Sequence, residues 1–328
     1  VTISLKTQKM LWGKAAGRCS RADCRRVLFE DETTADDASL VGENCHIVAE
    51  SDDGPRADPT MPIERRNSYS NLILLCRIHH KVIDDQESTY TVASLHEMKD
   101  QHEAWVRDQL GFDQAKQFQD EQYAGIVDEW ERLAHTENWL GWASYVLSND
   151  QPRMTVEIDS DLEKLRQWLL TRVWPEGDAG LESAFQNFRR VLSDFQESFR
   201  KHVERTSGGD WLFTIKFYQN PVWDTERYER MLKKYEFHVS LVQDLMLELT
   251  RAANLIADRI RQTLMRTYRL KEGRFAVEYG PLEGFQFRTV IVQYGSEERK
   301  EKMPYPGLAE FLTKRANRDV HFGEGTEP

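Results

Sequence analysis

The stretch Asn71–Asp85, NLILLCRIHHKVIDD, decides how the first third of this 328-residue chain folds. Leu72 to Leu75 form an apolar run with no polar interruption, the pattern of a short strand. The pattern turns helical near His79. Residues four apart on a helix share a face, so His80 and Asp84 are predicted to point together. Cys76 and His79 form a separate Cys-x-x-His pair. Two adjacent histidines at this turn admit one metal, two metals or none.

Outward from that stretch, the other thiols narrow the choice. KMLWGKAAGRCSRADCRRVLF predicts a short helix, a knuckle carrying Cys19 and Cys24, then a strand. All four cysteines fall between Cys19 and Cys76, clustered with histidines, which favours metal ligation over a disulfide framework. Zinc takes tetrahedral sulfur and nitrogen ligands. Cys19, Cys24, Cys76 and His79 would then staple together a module with little core of its own. His80 is left over. With Asp84 it can hold a second divalent cation while leaving positions open for water and phosphate. His46, in the predicted strand VGENCHIVAE, supplies a base able to deprotonate water.

CHIVA, then Asn71, then LCRIHHK resembles the His-Asn-His (HNH) endonuclease family, from LWGKAAGRC through HEAWV. The resemblance implies a ββα-metal module in which His46 is the general base, Asn71 orients the loop between the strands, and His80 is a ligand of the catalytic ion. Asp84 sits where many members place another metal-binding residue. Cys19, Cys24, Cys76 and His79 match the zinc-stapled bacterial branch. One position departs: where members often carry an Asp or His ligand before the base, this chain has Cys45. That thiol is a buried small side chain, or the ion has fewer protein ligands, or Cys45 is the fourth zinc ligand and His79 is free.

The implied reaction is hydrolysis of DNA to 5′-phosphate and 3′-hydroxyl ends, with a structural Zn²⁺ and a catalytic divalent metal that is Mg²⁺, Mn²⁺, Zn²⁺ or Ni²⁺. Arg56, Arg65, Arg66, Arg77 and Lys81 surround the motif and are candidates for phosphate contacts. Charge argues against unaided DNA binding. The chain carries a net charge of −11, and residues 1–110 hold 14 Lys and Arg against 19 Asp and Glu. Sequence-independent affinity for nucleic acid comes from cations neutralising phosphates. The expectation is a gated nuclease, engaged through a regulatory protein partner, a small-molecule activator or self-assembly, in the setting of bacterial antiphage defence. A restriction-type enzyme with a helical specificity domain, or a non-catalytic zinc-stapled DNA-binding scaffold, are the competing readings.

The expected organisation is α+β: a small HNH nuclease domain over residues 1–111 and a larger, mainly helical domain over 112–328 with a small sheet. In the second part, AGIVDEWERLAHTENWLGWASYVL reads as one amphipathic helix, and the segment from Thr225 to Leu270 as one long helix with a Leu241, Leu245, Leu249, Ile256, Ile260, Leu264 stripe. Segments near Trp211, Phe275 and Val290 are expected to form one sheet. No apolar run reaches the ~18 residues of a membrane span, and no continuous apolar leader opens the chain, so a cytoplasmic protein without a membrane partner is expected.

Overall fold

In a computed structural model the chain is described over residues 3–31, 37–109, 114–147, 151–219, 224–281 and 286–328. It forms two compact units, Val1–Asp128 and Glu129–Pro328. The division expected between residues 111 and 112 lies outside the described residues. The architecture is mixed α+β, with small antiparallel sheets and a larger helical second part.

The first unit opens with α1 (Leu5–Lys14), capped by the Ser4 side chain, which accepts from Thr7 N–H. Asp128 accepts from the Leu5 and Lys6 N–H groups at 2.7 and 3.0 Å, so a carboxylate closes the positive end of the helix. A short antiparallel pair follows, β1 (Phe29–Glu30) with β2 (Ser39–Leu40). Then comes the hairpin that carries the motif. β3 (Gly42–His46) pairs antiparallel with β4 (Leu72–Cys76), placing His46 opposite Leu72 and Cys45 opposite Ile73. Between them lies a long loop that includes one short helix, α2 (Ile63–Arg66). α3 (Arg77–Asp85) starts directly from β4, and α4 (Val92–Gln109) follows.

Burial fixes β4 as a strand. Its five residues are all buried, because α1, α3 and α4 pack against it. At roughly 2 kcal/mol per buried aliphatic side chain, Leu72, Ile73, Leu74 and Leu75 contribute on the order of 8 kcal/mol, comparable to the whole stability of a small domain. Leu11, Leu28, Cys45, Ile47, Ile83 and Leu95 complete this core. Gly42 is required where β3 begins: a Cβ there would lie 2.8 Å from Leu28 Cβ and 2.9 Å from the Trp12 ring. α4 turns Leu95, Lys99, His102 and Val106 inward.

α5 (Gln114–Leu133) begins in the first unit and ends in the second. The second unit continues with α6 (Trp139–Leu147), β5 (Arg153–Thr155), α7 (Val156–Thr171), α8 (Ala179–Arg200), β6 (Val203–Arg205), β7 (Trp211–Thr214), α9 (Thr225–Thr263), β8 (Val277–Tyr279), β9 (Arg288–Val290) and α10 (Leu308–Lys314). Three expectations are corrected. The single helix expected through WERLAHTENW is broken, since His135 adopts φ 51° and separates α5 from α6. That break lets Trp130 and Trp142 both bury. The one expected sheet is two: β5-β7-β6 and, separately, β8-β9. The long helix ends at Thr263, and its middle is buried well beyond one stripe, with Gln243, Asp244, Glu248, Thr250, Arg251 and Asn254 as inaccessible as Leu245 and Leu249.

A buried helix carrying charge needs partners in place. Arg315 meets Asp244 at 3.1 Å, Arg318 meets Glu248 at 2.8 Å, and Arg251 meets Asp319 at 2.6 Å. The Phe322 and Gly323 N–H groups also donate to Asp244. The C-terminal segment is thus clamped to α9 by charge. Among the described residues no helix is long and apolar enough to cross a membrane.

Candidate active site

The knuckle forms because Cys24 N–H and Arg25 N–H both donate to the Arg21 carbonyl, with Arg25 in the left-handed region at φ 47°. Ser20 N–H donates to the Leu74 carbonyl at 2.9 Å, which brings the knuckle to β4. Cys76, the N-cap of α3, and His79 in its first turn complete the set. The ligand atoms of Cys19, Cys24, Cys76 and His79 lie within 4.8 Å of one another, with His79 Nδ1 3.4 Å from Cys19 Sγ and 3.3 Å from Cys76 Sγ. Zinc bonds of about 2.3 Å to sulfur and 2.1 Å to nitrogen would hold a tetrahedral S···N pair about 3.6 Å apart. The donor set fits zinc. Burial lowers the pKa of His79, favouring the neutral imidazole that a metal requires, and pushes the Cys19 thiol up to about 12, a cost that a bound cation reverses.

Cys45 takes no part in that cluster. It is fully buried and its thiol lies 3.4 Å from the Glu43 carbonyl, the placement of a small core side chain.

His80 projects from α3 beside Asp84, one turn on. Its Nε2 is 3.2 Å from Asp84 Oδ2, and its Nδ1 is 2.5 Å from Glu43 Oε2 on β3. Two ligands at about 2.1 Å and at right angles on an octahedral ion stand about 3.0 Å apart, so Nε2 and Oδ2 fit as a pair for one divalent cation. Glu43 is invisible to motif reading: it lies 37 positions before His80, and only the β3–β4 register brings β3 and α3 together.

Asn71 is buried and fully used. Its Oδ1 accepts from Val48 N–H at 2.9 Å, and its Nδ2 donates to the carbonyls of Val48 and Arg66 at 2.8 and 2.9 Å. It therefore ties both ends of the loop that leaves His46. His46 ends β3 half-buried, with Nε2 2.7 Å from Asn67 Oδ1.

The five basic side chains expected on phosphates separate into two groups. Arg56 and Arg66 are turned inward, with side chains only 5% and 9% exposed. Arg56 donates to the carbonyls of Ile47 and Ile83 and to Asp84; Arg66 donates to the carbonyls of Glu50 and Met61 and to Asp52. Loop carbonyls and carboxylates thus occupy both guanidinium forks, which argues against phosphate contacts for these two. Arg65, Arg77 and Lys81 are exposed, and Lys81 pairs with Asp85 one turn away.

Residues 24–87 match the family model of HNH endonucleases. The match covers the second zinc thiol, the β3–β4 hairpin and α3, so an HNH endonuclease domain lies in the N-terminal third of the chain. No curated protein matches the chain.

Proposed function

We propose that the chain is a metal-dependent DNA endonuclease in which His46 activates water and His80 with Asp84 holds the catalytic cation. A divalent ion bound there would neutralise charge on the scissile phosphate and the departing oxygen. The protein's own part is positional. β3 delivers His46, Asn71 fixes the loop that follows it, and the packing of α3 on β4 holds His80 and Asp84. His46 accepts a proton from water as the oxygen attacks phosphorus. Cys19, Cys24, Cys76 and His79 hold a structural zinc that anchors the knuckle to the start of α3.

The observation that carries this reading is the division of labour between neighbours: His79 faces three thiols, while His80 faces Glu43 and Asp84. The deciding experiment is His46→Ala in the zinc-loaded protein. At low salt and high protein concentration, where the wild type is expected to nick supercoiled plasmid, nicking should vanish while zinc content and melting temperature hold. Undiminished nicking would overturn the assignment.

The charge balance supports a gated enzyme, in keeping with an effector of antiphage defence in the bacterial cytoplasm. Two of the five basic side chains near the motif are committed to the loop, which leaves still less positive charge for DNA. A protein partner, a ligand of the second unit or self-assembly would supply what is missing. Rapid degradation of plasmid by dilute protein at physiological salt would refute gating.

A further inference from the structure

An imidazole has one lone pair to give as a base, and the neighbours of the other nitrogen decide which atom that is. His46 Nε2 lies 2.7 Å from the amide oxygen of Asn67. Which end of an amide faces a histidine is ordinarily ambiguous, but here it is fixed from behind. The Asn67 Nδ2 donates to Glu50 Oε1 at 3.0 Å, and a carboxylate has no hydrogen to offer in return. The amide must present N–H to Glu50 and oxygen to His46. An oxygen acceptor at that distance requires hydrogen on Nε2. Asn67 is buried at the end of α2, and the neighbouring Arg66 guanidinium grips the Glu50 carbonyl at 2.7 Å.

We propose that Asn67, itself aligned by Glu50, is a positioning residue that holds the proton on His46 Nε2 and leaves Nδ1 as the acceptor for the attacking water. The inference rests on the reading of His46 as the base. A water O–H bond breaks and its proton goes to Nδ1; the hydroxide oxygen bonds to phosphorus; the bond from phosphorus to the 3′ oxygen breaks, and that oxygen takes a proton from solvent. Asn67 touches no reacting atom.

The test is two-bond ¹H–¹⁵N correlation spectroscopy of the full chain, zinc-loaded and labelled at histidine nitrogen, with His46 assigned by loss of its signals in His46→Gln. The wild type should show the Nε2–H tautomer. Asn67→Leu should give a tautomer mixture and lower the single-turnover nicking rate by about 10-fold or more, a part of the ~10²–10⁴-fold that a positioned base supplies. Glu50→Gln, at an exposed position, frees the amide to turn over and should produce a mixture even if Asn67→Leu folds poorly. Hydrogen on Nδ1 in the wild type, or an unchanged tautomer in both variants, overturns the proposal. If the tautomer responds as stated but His46→Ala still nicks DNA, the hold of Asn67 on the ring stands and the base assignment falls.

Discussion

Asn71→Ala tests whether one amide closes the loop that follows His46. The substitution removes three hydrogen bonds, to Val48 N–H and to the Val48 and Arg66 carbonyls, all from a side chain in a buried setting. At about 1 kcal/mol net for each bond the loss is about 3 kcal/mol. The Ile47 N–H bond to the Asn71 carbonyl is backbone and survives. The cost therefore falls on local opening of the loop, and 3 kcal/mol corresponds to about a 100-fold rise in the open population. Hydrogen exchange with mass spectrometry should show protection of peptides spanning residues 47–70 falling by about that factor, with β4 peptides little changed. Nicking should fall along with it, since His46 sits at the root of the loop. Asn71→Asp keeps the shape but sets a carboxylate against two carbonyl oxygens, and should be worse than Ala. Wild-type protection over residues 47–70 in the Ala variant would refute the reasoning.

Cys19→Ser should lower zinc from one per chain to near none and abolish cooperative unfolding of the first unit. A structural zinc site contributes about 10–16 kcal/mol, as much as a domain's whole stability; metal analysis with thermal melts checks this. Arg56→Ala should destabilise the first unit by about 3 kcal/mol or more, through two orphaned carbonyls and an unpaired Asp84. By contrast, Arg77→Ala should leave melting unchanged and reduce the salt slope of DNA binding by about one. In the second unit, burial lowers His238 to about 4, and its Nε2 lacks a partner among the described residues. A depressed histidine pKa means that the unfolded chain binds the proton first. Stability from this group is therefore present above pH ~6.5 and lost towards pH 4, at about 1.4 kcal/mol per pH unit. Denaturant melts of His238→Phe across that window should show a shallower decline.

Residue order revealed the Cys19, Cys24, Cys76 and His79 cluster, the hairpin strands and α3, because their signals are local: an unbroken apolar run, short Cys and His spacings, and two residues one helical turn apart. Cys45 was open in the sequence, and the structure leaves it outside the cluster of Cys19, Cys24, Cys76 and His79. Glu43 and Asn67 were not legible. Each reaches its histidine only through strand pairing or loop closure, and neither has a spacing rule that would single it out. The inward turn of Arg56 and Arg66 was not legible either, since a cation beside a nuclease motif looks the same in sequence whether it faces phosphate or a carbonyl. The break at His135 carries no glycine or proline to announce it, and three-residue strands such as β5 and β6 owe their existence to pairing with β7 rather than to local preference.

The placement of His79 and His80 on consecutive positions of α3 has a mechanical consequence. Successive helical residues diverge by about 100°, so a metal bound at His79 would act as an indexing pin that sets the rotation of the whole helix. One extra residue between Cys76 and His79 would force a choice: keep the pin engaged and strain the turn, or rotate the helix and carry the His80 ring away from Glu43 on β3. The two-residue gap between Cys76 and His79 would then set the angular zero for every side chain that the helix presents.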